Sequence, residues 1–229
     1  MLKLKEVSKT YKNGVNALYN VNLFIDQGEF VYIIGPTGSG KSTLIKLIDA
    51  EERPTQGTVE VAGINIGKLR NGRIPYYRRY IGVVFQDFKL LPRKTVFENV
   101  MLALQIGNLP IIPARKRVRE VLELVGLTDK ANQFPDQLSG GQQQRAVIAR
   151  AIANKPKLLI ADEPTGNLDF AKAKEIVSLL EKINQEEHTT VLMVTHDVDI
   201  VNTLRKRTVA LDEGHIVADL VDGGYHGHD

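Results

Sequence analysis

A continuous apolar run, "FVYII" at 30–34, leads without a break into "GPTGSGKST" at 35–43. The run is too short and too uniformly apolar for an amphipathic helix, so it reads as a strand buried on both faces. Gly35, Gly38 and Gly40 carry no Cβ, so backbone N–H groups at Pro36–Thr43 (proline excepted) can approach an anion closely. Spacing G-x-x-x-x-G-K-S/T adds Lys41 as a point charge for the β- and γ-phosphates of a nucleotide and Ser42 as a hydroxyl ligand for Mg²⁺. Pro36, Thr37, Ser39 and Thr43 complete the predicted cradle. "LIKLID" continues it as a helix, and a strand–loop–helix of this kind commits the chain to an α/β fold.

Further strands are expected on the same grounds. Leu2, Leu4 and Val7, then "ALYNVNLFI" at 17–25, have the period of half-exposed antiparallel strands, and "GTVEVAG" at 57–63 reads as another. "IGVVF" (81–85), "KLLIA" (157–161), "TVLMV" (190–194) and "TVAL" (208–211) read as buried strands with helices between them, hence a parallel sheet. From Thr95 to Ala153 the pattern is helical throughout, with Pro110 and Pro113 separating the first two helices, which predicts an all-helical lobe inserted between two strands. The tail "DGGYHGHD" at 222–229 is expected to be a loose end, its two histidines included.

Three further strand ends carry candidate chemistry. Asp162 and Glu163 follow "KLLIA", at the sheet edge where open α/β folds bind ligands. Asp162 is expected to hold Mg²⁺ through water, and Glu163 to orient or deprotonate an attacking water. His196 follows "TVLMV" and is expected to touch the γ-phosphate; Gln86 follows "IGVVF" and is expected to ligate Mg²⁺ or position water where the helical lobe begins. Tyr11, in "SKTYKNG", is placed to stack on an adenine ring, an ordinary surface tyrosine being the other reading.

"LSGGQ" at 138–142 opens a helix with anion-binding N–H groups but no lysine. Since Lys41 already serves the chain's own nucleotide, Ser139, Gly140, Gly141 and Gln142 are expected to grip the γ-phosphate of nucleotide on a second copy. Two copies would then lend this loop to each other about a two-fold axis, with ATP between them. "GNLD" at 166–169 is expected at that seam.

Composition sets the remaining bounds. Of 229 residues 43% are apolar, enough for a core, and no window holds the ~18 apolar residues of a spanning helix. No cysteine is present, and the start lacks an apolar signal core, so a cytosolic chain is expected. Thirty basic against 27 acidic residues leave a net charge of +3, too mild to call for nucleic acid. Basic clusters at 70–80, 115–119 and 205–207 read either as solvated faces or as contacts with an anionic membrane surface.

The motifs "GPTGSGKS", Gln86, "LSGGQ", "LLIADE", "NLD" and His196, in this order, resemble the ATP-binding cassette family. That resemblance implies a P-loop NTPase with a RecA-like mixed-sheet core and an N-terminal antiparallel β subdomain (1–91 and 156–221), an inserted all-α subdomain (92–155) and a tail (222–229). It also implies Glu163 as catalytic base, a head-to-tail homodimer formed on ATP, and an integral membrane partner docking beside Gln86. "GVVFQDFKLLPRKTVFENV", "ADEPTGNLD" and "IVNTLR" are similar to the family's bacterial cell-division branch, with Asp197 after His196 as a departure. Membership of that branch implies ATP-driven control of peptidoglycan hydrolases from the cytoplasmic face of the membrane. Lipoprotein-releasing and macrolide- or peptide-export cassettes are the neighbouring alternative.

Overall fold

The computed structural model describes residues 1–166, 168–221 and 223. In chain order the elements are β1 (Leu2–Thr10), β2 (Asn16–Ile25), β3 (Phe30–Ile34), α1 (Lys41–Ile48), β4 (Gln56–Val61), β5 (Ile64–Asn65), α2 (Ile74–Tyr77), β6 (Ile81–Val84), α3 (Val96–Ile106), α4 (Ile111–Leu124), α5 (Gly140–Ile152), β7 (Leu158–Asp162), α6 (Phe170–Glu186), β8 (Thr190–Val194), α7 (Val198–Leu204), β9 (Arg207–Asp212) and β10 (His215–Leu220). They divide into two compact units, Met1–Arg78 with Thr190–Asp229, and Arg79–Thr189. The tail, Gly223 excepted, and Asn167 of "GNLD" lie outside the described residues.

In the first unit, β2, β1, β4 and β5 form an antiparallel sheet in that order. Leu2, Leu4 and Val7 are all buried, although their spacing changes from two to three. A register shift between Leu4 and Val7 absorbs the extra residue, with Glu6 in the left-handed region at φ 51°. A second group of strands is mixed: β3 pairs in parallel with β8 on one side and β9 on the other, and β10 closes antiparallel on β9. All five residues of β3 and all five of β8 are buried, as expected of parallel strands without a solvent face.

In the second unit β6 and β7 pair in parallel, and α3, α4 and α6 pack around α5 as a helical group. Gly82 in β6 lets α5 lie close: a Cβ there would come within 2.6 Å of the Ala151 carbonyl oxygen. Of the two prolines, Pro110 stands between α3 and α4 as expected, and Pro113 does not. Pro110 is the N-cap of α4 and Pro113 lies in its first turn. There the missing N–H has no partner to lose, so the ring is accommodated. Among the described residues no helix is long and apolar enough to cross a membrane.

Candidate functional site

In the first unit the loop after β3 turns sharply because Gly35, Gly38 and Gly40 all take positive φ, at 147°, 85° and 106°. Gly40 is also the N-cap of α1, with no side chain capping the helix. Gly40 brings no capping side chain to the first-turn N–H groups of α1, which suits that entrance to an anion. A Cβ at Gly40 would come within 2.6 Å of the Ala17 carbonyl oxygen, so only glycine fits. Lys41 Nζ donates back across the loop to the Gly35 and Pro36 carbonyl oxygens at 2.7 and 2.8 Å. Ser39 is buried, and among the described residues its hydroxyl has no hydrogen-bond partner.

Tyr11 and Ala17 line a pocket of about 250 Å³ together with Gly38, Lys41, Ser42 and Thr43. The Tyr11 hydroxyl lies 3.2 Å from Thr43 Oγ1, and Lys9 Nζ sits 5.1 Å from its ring centroid. Tyr11 is thus half-buried and fixed beside the glycine loop. Pairing of Ile33 with Val194 places His196, two residues beyond β8, at the same end of the strands as that loop. His196 is exposed. Asp197, which follows it, caps α7 by accepting from Ile200 N at 3.1 Å. Aspartate is among the preferred N-cap residues, so the departure leaves the turn intact.

In the second unit Val84 pairs with Ala161, so Gln86 and the Asp162–Glu163 pair lie at the same end of β6 and β7. Glu163 has φ 48°, a left-handed conformation uncommon for glutamate and frequent at ligand sites. Gly166 N donates to the Glu163 carbonyl at 3.2 Å, and a Cβ on Gly166 would lie 3.1 Å from Gln86 Nε2. The Gln86 amide therefore rests on the turn that Glu163 begins.

α5 starts with a complete capping box. Ser139 Oγ accepts from Gln142 N at 3.4 Å, and Gln142 Oε1 accepts from Ser139 N at 2.9 Å. The Ser139 side chain and the Gln142 amide are thereby held at the helix entrance, while Gly140 and Gly141 keep that entrance low. Leu168 and Lys172, at the start of α6, lie beside those two glycines, and Asp169 caps α6 by accepting from Lys172 N at 3.0 Å. A hydrogen bond and ion pair to Lys172 Nζ at 2.6 Å holds the exposed Asp169 carboxyl below its usual range.

Arg150, near the far end of α5, escaped the sequence reading. It donates to the Lys89 and Phe88 carbonyl oxygens at 2.6 and 3.3 Å, fastening the segment just past Gln86. Burial lowers its pKa, so holding the charge there costs free energy that the two hydrogen bonds offset. A charged residue among the apolar positions of "AVIARAIA" was the available signal.

A glycine-bearing phosphate-type loop at one strand end, paired acids at another and a capped LSGG helix define a class, and a family model described as ABC transporter matches residues 18–166. The chain belongs to the ABC transporter family. It is 54% identical over 230 residues to the cell division ATP-binding protein FtsE of Bacillus subtilis (strain 168), covering 100% of both chains. Among solved structures it is similar to the ATP-binding cassette MJ0796, described as a dimeric post-hydrolysis state bound to ADP and Pi. That similarity is 43% identity and a TM-score of 0.85 over 98% of this chain and 100% of that one. It is also similar to cbiO1 of Clostridium perfringens, part of the ABC transporter complex cbiONQ, at 33% identity and TM-score 0.90 over 96% and 88% of the two chains.

Proposed function

We propose that the chain is the ATP-hydrolysing subunit of an FtsE-type complex in bacterial cell division. It works peripherally at the cytoplasmic face of the membrane with an integral, FtsX-like partner that contacts the Gln86 region. The observation that carries this reading is full-length likeness to the cell division protein FtsE. The uncapped α1 entrance and the unpartnered Ser39 hydroxyl support ATP as the ligand.

Each residue then has a role. Backbone N–H groups of the loop and first turn, with Lys41, bind the β- and γ-phosphates, while Tyr11 stacks on the base. Ser42, exposed next to Lys41, and Asp162 offer hard oxygen donors of the kind Mg²⁺ takes, and Gln86 adds an amide oxygen. A cation held there would neutralise charge on the phosphate oxygens. Glu163 accepts the proton of the attacking water, and His196 donates to the γ-phosphate. Ser139, Gly140, Gly141 and Gln142 close on the nucleotide of a second copy, giving an ATP-dependent homodimer.

Nucleotide binding and turnover separate these roles. Lys41→Ala is expected to abolish tight binding of a fluorescent ATP analogue to the isolated chain. Glu163→Gln is expected to keep binding and to lose about 10²–10⁴-fold in turnover, measured with the membrane partner present. Wild-type turnover in Glu163→Gln sinks the base assignment; unchanged ATP affinity in Lys41→Ala sinks the site.

A further inference from the structure

The corner between α3 and α4 exposes aliphatic side chains that no strand end or nucleotide role explains. Ile106, Leu109, Ile111 and Ile112 are 63%, 38%, 52% and 80% exposed. They follow one another along a single turn of chain, with only Gly107, Asn108 and Pro110 between. The corner is firmly built. Arg79 Nη2 donates to the Ile106 carbonyl at 3.1 Å, Asn154 Nδ2 to the Ala103 carbonyl at 2.9 Å, and Leu109 N to the Leu104 carbonyl at 3.0 Å. A helix end whose carbonyls are satisfied in this way presents its apolar side chains by construction, not by fraying.

Charge on the same corner is one-sided. Between Glu98 and Glu120 the chain has no acidic residue and four basic ones, Arg115, Lys116, Arg117 and Arg119. Arg117 turns inward, donating to the Ile152 and Ala153 carbonyls and pairing with Glu187 at 3.0 Å. Arg115, Lys116 and Arg119 are exposed. Arg115 stands four residues after Ile111, Lys116 four after Ile112, and Arg119 four after Arg115, so the cationic row continues the aliphatic pair along one side of α4. Lys116 Nζ pairs with the Glu120 carboxylate at 4.0 Å on the surface.

We infer that the α3–α4 corner is an interaction surface for an anionic lipid bilayer, with Ile106, Leu109, Ile111 and Ile112 entering the headgroup–acyl boundary and Arg115, Lys116 and Arg119 meeting lipid phosphates. Aliphatic residues at the tip with cations one and two turns behind match the order of layers in a membrane surface: hydrocarbon deepest, phosphate above it. A protein groove would need no such gradient. None of the nucleotide-site residues takes part in this surface, so it does not depend on ATP binding.

The test is co-sedimentation of the full chain, without nucleotide, with vesicles of phosphatidylcholine alone or with about one third phosphatidylglycerol. Wild type is expected to bind the anionic vesicles and not the neutral ones, and less as salt rises. Arg115→Gln with Lys116→Gln is expected to weaken binding by about five-fold per charge removed. Ile111→Asp with Ile112→Asp is expected to weaken it at least as much. Both pairs are exposed, and unchanged thermal unfolding checks that the fold survives. The chain has no tryptophan, so Ile112→Trp is a single reporter whose emission is expected to shift to the blue on anionic vesicles. Equal binding to both vesicle types, retained binding in both double variants, or unshifted emission from bound Ile112→Trp overturns the proposal. So does association only with vesicles carrying an integral protein partner, which assigns the corner to protein docking. Lys41→Ala is expected to leave vesicle binding intact, which keeps failure of this surface distinct from failure of the nucleotide site.

Discussion

Asp49, just past the end of α1, has its carboxyl 3.3 Å from Arg78 Nη2, yet burial outweighs that attraction and pushes its pKa up to about 6, with Glu51 adding to the rise. The folded state therefore keeps this proton longer than the unfolded chain. The group favours folding fully below pH ~4 and loses that contribution as pH rises through about 6. Asp49→Asn is expected to raise unfolding free energy at pH 7.5 by about 1–2 kcal/mol, with the gain gone by pH ~4, measured by urea unfolding across pH. Nothing in "LIKLIDAEERP" announces this, because the shift comes from what the fold wraps around the carboxyl. The same limit explains Arg150 and the buried Ser39 hydroxyl. The placement of Lys41, Asp162, Glu163, Gln86 and His196 at or just past strand ends was legible because each sits at a fixed offset from an apolar run. The left-handed turn at Glu163 was not, since its identity says nothing of its φ.

Elements were legible where one period runs unbroken, as in "FVYII" and "TVLMV", which are β3 and β8. They were less so where tertiary geometry sets the boundary, as at Pro113 inside α4. α3 shows a local signal that survives folding: "TVFE" becomes a capping box, Thr95 Oγ1 accepting from Glu98 N at 3.2 Å and Glu98 Oε2 from Thr95 N at 2.9 Å. The buried Asn99 amide then ties the preceding loop to Leu91 and Lys94. Thr95→Ala is expected to cost about 1 kcal/mol, read as a lower urea midpoint with unchanged slope. Thr95→Ser, which keeps the acceptor, is expected to restore most of it.

At the scale of the whole molecule, a loop without its own lysine predicts concentration-dependent assembly. Glu163→Gln saturated with Mg-ATP is expected to elute at twice the 25.5 kDa chain mass, and to return to a monomer with ADP. Adding Gly141→Asp, which puts a carboxylate at the α5 entrance, is expected to keep the chain monomeric at the same nucleotide occupancy. A dimer that persists with that aspartate removes the LSGG loop from the interface. The mixed parallel sheet and inserted helices were readable from alternation of apolar runs. Register shifts such as the one at Glu6 were readable only as a spacing that changes from two to three, since a bulge leaves composition untouched.

α5 begins at the Ser139 cap and holds the Phe88 and Lys89 carbonyls with Arg150 near its other end, about 15 Å away along a rod of continuous backbone hydrogen bonds. A stiff rod carries displacement along its axis. A push on the strip after Gln86 in that direction is therefore expected to reach the glycine doorway, and a pull at that doorway to reach the strip.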